Sequence, residues 1–277
     1  MPDLQISPVA GALGAEILGV DIAQPLDPDT VAAIRQALLD HLVIFFRDQR
    51  FEPDSYMRFA SYFGKPAEYP LVPGIEGYPE ITEVIKLEHE RVNFGGIWHA
   101  DTTYLSEPPM GTMLHALEVP PQGGDTLFAN QYLAYESLSE SLRKFLDKLV
   151  IVNTSAKADV SRTREDVIRH SGSSSPVLDH LSEHPAVRTH PETGRKCLFV
   201  NVAHSSHFKG WTEEESAPLL AYLFQHQVRP EFTCRFRWQV GSLAFWDNRA
   251  VWHMALNDYH GHRRLMHRIT IEGVPLS

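Results

Sequence analysis

The residues best suited to chemistry begin with a His-x-Asp pair. His99 and Asp101 lie in the run Gly95-Gly96-Ile97-Trp98-His99-Ala100-Asp101-Thr102-Thr103-Tyr104. On extended backbone, residues i and i+2 point to one face. An imidazole and a carboxylate can then reach one metal ion together. A distant second histidine would complete the 2-His-1-carboxylate facial triad, which leaves one face of an Fe(II) ion open. His253 is the candidate. It ends the run Phe245-Trp246-Asp247-Asn248-Arg249-Ala250-Val251-Trp252-His253, which reads as strand, turn, strand. Each residue also has a plain structural reading. A His-x-Asp pair can simply pack in a strand, and His253 can be a buried histidine bonded to a backbone carbonyl.

A second constellation lies in Arg263-Arg264-Leu265-Met266-His267-Arg268-Ile269-Thr270. In a strand, Arg264, Met266, Arg268 and Thr270 share a face, and Leu265, His267 and Ile269 share the other. A buried guanidinium must be paired, since leaving it alone costs several kcal/mol. A ligand carboxylate would supply the partner, and arginine binds carboxylates bidentately. The alternative is an edge strand with both arginines in water and the Leu-x-His-x-Ile face buried. Thr126 follows Gly123-Gly124. Its hydroxyl could add a hydrogen bond to the same carboxylate, or it can be an ordinary strand threonine.

These residues need a scaffold that brings distant strands together. The pattern predicts a helix over 27–41, with Asp27 as N-cap and Pro28 at the first helical position. A buried strand over 42–46 follows. A second helix is expected over 53–63, stopped by Gly64. Residues 65–80, rich in Pro, Gly and Tyr, read as an ordered loop, and 81–87 as a strand. Further strands are predicted within 110–119 and over 126–129. A helix is expected over 139–149, with Leu142, Phe145, Leu146 and Leu149 on one face. Residues 187–190 and 196–201 flank Pro191-Glu192-Thr193-Gly194 as a hairpin. Thr212 and Glu215 form a capping-box pattern, and Pro218 is expected to kink or restart the helix they open. Strands over 233–239, 241–245, 251–255 and 263–271 close the chain. Many strands separated by turns, with few helices, predict a mainly β fold with peripheral helices, an antiparallel barrel or double-sheet jelly roll. No linker or repeat divides the 277 residues, so one domain over 1–277 is expected. The polar stretch 153–184 reads as a mobile lid or a solvated insertion.

Composition narrows the function classes. Hydrophobic content of 43% and charged content of 22% are globular values. The net charge is −10, and no basic cluster of the kind that tracks a phosphate backbone occurs, which argues against nucleic acid as a partner. An anionic substrate would need a few local cations to hold it against that field. Two cysteines, Cys197 and Cys234, make no disulfide framework. Reduced thiols in a cytoplasmic protein are expected. No apolar run approaches the ~18 residues of a membrane span.

Taken in order, these motifs resemble the taurine dioxygenase (TauD/TfdA) family of Fe(II)- and 2-oxoglutarate-dependent dioxygenases. Further matches are Gly14-Ala15-Glu16-Ile17-Leu18-Gly19-Val20-Asp21, Gly123-Gly124-Asp125-Thr126-Leu127 and Val187-Arg188-Thr189-His190-Pro191. The resemblance spans nearly the whole chain and implies a double-stranded β-helix (jelly roll). It implies His99, Asp101 and His253 as iron ligands, with Thr126 and Arg264 on the distal carboxylate of 2-oxoglutarate. Arg268 matches the arginine that holds the taurine sulfonate. O2 is the third reactant, and succinate and CO2 are products.

The resemblance implies a small anionic organic substrate, taurine or another sulfonate-like molecule, but the substrate positions depart from the taurine pattern. Tyr69 stands where taurine-oxidising members have His, Val72 where they have Tyr, Gly95 where they have Asn, and His204 where they have Phe. Asp159 falls where another Phe is expected. Loss of polar donors weakens recognition of a polar substrate far more than loss of a methylene. The run Gly74-Ile75-Glu76-Gly77-Tyr78-Pro79-Glu80 resembles the aryloxyalkanoate dioxygenases of the same family, so aryloxyalkanoates, sulfate esters and other carboxylates are rivals. A homo-oligomer is compatible with this reading. Two rivals come from other classes. A zinc hydrolase would use three protein ligands and a water, leaving Arg264 and Thr126 without a role. A non-catalytic jelly-roll binding protein would have no use for an intact triad.

Overall fold

The computed structural model of the protein describes residues 4–69, 72–156 and 180–273. Its construction is visible in one short strand, β3 (Val43–Phe46), whose four residues are all buried. Val43 and Phe45 face one apolar cluster, while Ile44 and Phe46 face another. Alternation puts successive side chains on opposite faces, so a strand apolar at every position must be covered on both sides.

The cover on one side is helical. Helices α1 (Pro28–His41) and α2 (Pro53–Ser61) supply Ile34, Leu38, Tyr56 and Phe59 to the cluster around Ile44 and Phe46. Asp27 caps α1 by accepting from the Thr30 amide, as its place before Pro28 predicts. The strand does not begin at Leu42, as expected. Leu42 takes the left-handed conformation (φ 67°) and turns the chain from α1 into β3.

The cover on the other side is a second sheet. The main sheet takes in β1 (Gln5–Pro8), β2 (Ala15–Leu18), β3, β15 (Leu243–Asp247), β7 (Gly111–Glu118), β17 (Arg264–Ile271), β6 (Tyr78–Lys86) and β5 (Gly74–Ile75) in that spatial order, with β4 (Pro66–Ala67) also on β17. Every pairing in it is antiparallel except β2 with β3. The second sheet is β14 (Thr233–Phe236), β8 (Thr126–Asn130) and β16 (Val251–Ala255). Phe128, Phe236 and Val251 from this sheet pack with Phe45, Ala116, Trp246 and Met266 from the first. The result is the double-sheet jelly roll expected from the strand pattern.

Peripheral elements form a third layer. Helices α3 (Gln131–Glu136), α4 (Glu140–Leu146) and α5 (Glu213–Gln227) pack with β11 (Val187–Thr189), β12 (Lys196–Leu198) and β13 (Ser205–Phe208) around Leu146, Leu198, Phe208 and Leu223. The Thr212/Glu215 capping box opens α5. The helix does not restart at Pro218. The carbonyl that Pro218 leaves without a helical donor belongs to Glu214, which is exposed and can be met by water. Helix α3 has no counterpart in the sequence pattern, because six residues carry little periodic signal. The expected stripe on α4 is also weaker than predicted, with Leu146 buried but Phe145 exposed. Residues 65–80 are not wholly loop, since β4, β5 and the start of β6 lie within them. The ends of the polar stretch 153–184 pair as β9 (Val150–Thr154) and β10 (Leu181–Pro185). Its centre, 157–179, lies outside the described residues. No helix among the described residues is long and apolar enough to cross a membrane.

The packing makes two expectations testable. Phe45 is fully buried and its ring stacks on Phe236, with centroids 3.9 Å apart and planes 4° apart. Phe45→Ala should lower the unfolding free energy by about 3–5 kcal/mol, read by chemical denaturation. Cys197 and Cys234 are both buried, and burial pushes both thiols up to about 12. A thiol reagent at neutral pH should leave both unlabelled until the protein is unfolded.

Candidate active site

One β-bridge, His99 with His253, builds the site. The His99 amide donates to the His253 carbonyl at 3.0 Å, and the His253 amide donates to the His99 carbonyl at 2.8 Å. His253 is carried by β16, which is paired along its length with β8. The segment around His99 forms no continuous strand. It meets β16 at this bridge and at the bond from the Ala255 amide to the Gly95 carbonyl, 2.9 Å, and then turns, with Thr102 at φ 42°. The turn brings the Asp101 carboxylate alongside both rings.

The three predicted ligands converge. One ligand atom from each of His99, Asp101 and His253 lies within 4.8 Å of the others. His99 Nε2 is 3.7 Å and His253 Nε2 is 3.8 Å from Asp101 Oδ1. His99 Nδ1 is 2.7 Å from the Ile97 carbonyl oxygen. Donation there leaves the Nε2 lone pair facing Asp101. All three residues are buried. Burial is the largest influence on both imidazoles and lowers their pKa, His253 well below the usual value; the Asp101 charge opposes it at both. Burial works against the Asp101 charge, but Arg268, His253, His99 and the Thr112 hydroxyl outweigh it and hold the carboxyl well below its usual range. Neutral imidazoles beside an ionised carboxylate are the donor set a divalent transition metal requires. Two nitrogens and one oxygen suit Fe(II).

Sequence reasoning missed the group that aims Asp101. Thr112 on β7 donates to Asp101 Oδ2 at 2.7 Å and accepts from Asn248 Nδ2 at 2.8 Å. Asn248 Oδ1 accepts from the Trp246 indole at 2.9 Å. The Trp246 ring lies 4.6 Å from that of His253, so one chain of contacts supports both a carboxylate and an imidazole. Same-face alternation on β7, read together with the Trp-Asp-Asn-Arg run, was the available signal.

The two arginines are buried, so the edge-strand alternative fails. β17 lies between β7 and β6 rather than at an edge, and Arg264 and Arg268 are 4% and 5% exposed. Their surroundings differ. Arg268 Nη2 is 2.9 Å from Asp101 Oδ1, and its guanidinium lies 4.7 Å from the Tyr69 ring centre. Its partner is thus a protein carboxylate. Arg264 has no ion pair among the described residues, and its Nε and Nη2 are buried without hydrogen-bond partners. Its guanidinium lies 5.6 Å from the Trp238 ring centre. The Trp238 indole donates to Thr126 Oγ1 at 3.0 Å, which leaves the Thr126 hydroxyl proton free to donate elsewhere. Trp238 was also missed.

These groups open on one pocket of about 410 Å³, part of it continuous with solvent. His99, His253, Thr126, Arg264 and Arg268 line it, with Val84, Leu114 and Trp246 as apolar wall. Gly95 lines it too, at φ 74°, where a Cβ would meet His99 Cε1 at 3.2 Å. A side chain there would sit tight against the imidazole, on a left-handed backbone that favours glycine and tolerates asparagine. His204 is buried beside the pocket, edge-on to Tyr104, with Nδ1 lacking a partner. Burial, then the nearby His99, pushes it down to about 3. Val72 is half-buried and is not part of the wall. Asp159 lies outside the described residues.

The model of the taurine catabolism dioxygenase TauD, TfdA family matches residues 5–270. An alpha-ketoglutarate-dependent sulfate ester dioxygenase of Pseudomonas putida is 37% identical, over 98% of this chain and 90% of that protein. An alkylsulfatase of Acinetobacter baylyi is 36% identical, over 98% of this chain and 85% of its own length. Among solved structures, a taurine dioxygenase from Burkholderia xenovorans superposes with a TM-score of 0.82 at 37% identity, covering 99% of this chain and 90% of that one. The chain belongs to the TauD/TfdA family of dioxygenases and is an oxidoreductase of the class that uses Fe(II), 2-oxoglutarate and O2.

Proposed function

We propose that this enzyme oxidises a small alkyl sulfate ester, with a sulfonate such as taurine as the rival substrate. Support for the ester comes from the similarity to a sulfate ester dioxygenase and an alkylsulfatase. It comes also from Tyr69, Gly95 and His204, which replace the residues expected around taurine. The observation that carries the assignment of the site is the convergence of three ligand atoms within 4.8 Å beside an unpaired buried guanidinium. On this reading His99, Asp101 and His253 hold Fe(II), and Arg264 and Thr126 receive the distal carboxylate of 2-oxoglutarate.

Bound Fe(II), with 2-oxoglutarate and O2, supplies an oxidation that releases succinate and CO2 and hydroxylates a C–H bond. The chain supplies geometry and charge around it. Arg264, which has no ion pair among the described residues to break, sets which way the 2-oxo acid enters. Arg268, beside Asp101 and Tyr69, provides the cation toward which a sulfate or sulfonate oxygen turns. The apolar wall of Val84 and Leu114 keeps water away from the reacting carbon. Hydroxylation of the carbon that bears the ester oxygen gives an unstable adduct, which separates into an aldehyde and sulfate.

Substrate-stimulated succinate release, read by mass spectrometry, tests the substrate. Short alkyl sulfates should stimulate it most; stimulation by taurine or aryloxyacetates, with alkyl sulfates inert, would sink the ester assignment. His99→Ala should remove iron-dependent succinate formation while leaving the unfolding midpoint near that of the parent. Turnover that persists without iron or without 2-oxoglutarate would instead point to a hydrolase. Thr112→Val keeps the shape of the side chain but removes the bond to Asp101. It should weaken Fe(II) binding by about 10–100-fold, read by metal titration.

A further inference from the structure

Arg264 is not alone on its face of the sheet. In the β6–β17 pairing its direct cross-strand partner is Lys86. The next pairs along the ladder are Met266 with Val84 and Arg268 with Thr82, so all six side chains share one face. Arg264, Val84 and Arg268 line the pocket; Lys86 is not itself on the pocket wall but stands on the same face of the sheet, directly beside Arg264. Directly opposed residues hold their Cβ atoms about 5 Å apart, and like charges at such a position are destabilising.

Both cations are removed from water. Lys86 is 2% and Arg264 4% exposed. The Lys86 ammonium has no hydrogen-bond partner, and neither residue has an ion pair among the described residues. Lys86 Nζ rests over the Tyr259 ring, 4.5 Å from its centre. The carboxylate acting on Arg264 is Asp125; its Oδ2 is held by Arg235 at 2.6 Å and its Oδ1 is buried without a partner, and it makes no ion pair with Arg264 or Lys86. A ring face offsets part of the cost of a buried ammonium, but it does not neutralise two adjacent positive charges. Such an arrangement is stable enough to keep when an anion completes it.

We propose that Lys86 and Arg264 form a paired-cation seat for the distal carboxylate of the 2-oxo acid. Lys86 is then the residue that makes the site select a dicarboxylate over a 2-oxo acid with an uncharged tail. This rests on the reading that Arg264 and Thr126 bind 2-oxoglutarate. Lys86 adds charge, Arg264 adds the forked geometry, and the Tyr259 ring holds the lysine head in place. The class of ligand is a short dianion, one end at the metal and the other between two cations.

Anaerobic calorimetric titration of 2-oxoglutarate into the Fe(II)-loaded protein tests this without turnover. Lys86→Met should weaken binding at least tenfold, and Lys86→Arg should restore most of it. The preference for 2-oxoglutarate over 2-oxopentanoate, which lacks the distal carboxylate, should shrink in Lys86→Met by the same factor. Without 2-oxoglutarate, Lys86→Met should melt no lower than the parent, because a like-charge contact has been removed. Should Lys86→Met fail to fold, Lys86→Gln takes its place in the same titration. Binding within twofold of the parent would overturn the proposal and leave Lys86 as a packing residue on Tyr259. Arg264→Gln separates the two readings. If it abolishes binding while Lys86→Met does not, only the role of Lys86 fails. If Arg264→Gln also binds normally, the assignment of the cosubstrate site itself is wrong.

Discussion

Two hydrogen bonds between the backbones of His99 and His253 carry the arrangement of the site. They join a segment that is otherwise turn and loop to the second sheet, where one further bond, from the Ala255 amide to the Gly95 carbonyl, lies beside them. Because the bridge is reciprocal, neither imidazole can shift along its chain without breaking a buried amide contact. The rings are thereby held 4.1 Å apart, and the turn after His99 has only to deliver Asp101. The rest of the jelly roll serves this contact. β16 is straightened by β8, β8 is braced by β14, and the Phe45–Phe236 stack ties that sheet to the main one.

Charge inside the pocket follows a second constraint. A buried ion must be paired, and the chain meets that demand unevenly. Asp247 is fully buried and is bonded by Arg249 and His190, with Arg249 continuing to Glu192. That network is closed on itself and supports the turn between β15 and β16. Asp101 is paired with Arg268 on one oxygen and Thr112 on the other. Arg264 and Lys86 are left open. Of the two arginines that line the pocket, Arg268 is thus paired with a protein carboxylate, while Arg264 has no ion pair among the described residues.

Much of this was legible in the residues. The spacing of His99 and Asp101, the face shared by Arg264 and Arg268, and the position of Thr126 all carry chemistry that a simple core would not need. The alternation of β3 and the caps of α1 and α5 are local effects, so reading them needs no partner. Elements with weak local signal escape such a reading, among them the short helix α3 and the single bridge at His99. Pro218 invites overreading, because the rule against proline in a helix assumes a carbonyl that nothing else can satisfy. Val72, a substrate position by resemblance, stands off the pocket wall.

The amino-acid order alone determined the candidate ligand types, the class of fold and the presence of two arginines on one face of a strand. Periodicity and residue chemistry act over a few positions, and these features need no more. Only the tertiary structure decided that Arg268 has a protein carboxylate as partner and Arg264 has none among the described residues, and that Thr112, Asn248 and Trp238 support the site. It alone set Lys86 opposite Arg264. Those contacts join residues far apart in the chain, and strand register, which places them side by side, is settled by packing across both sheets at once.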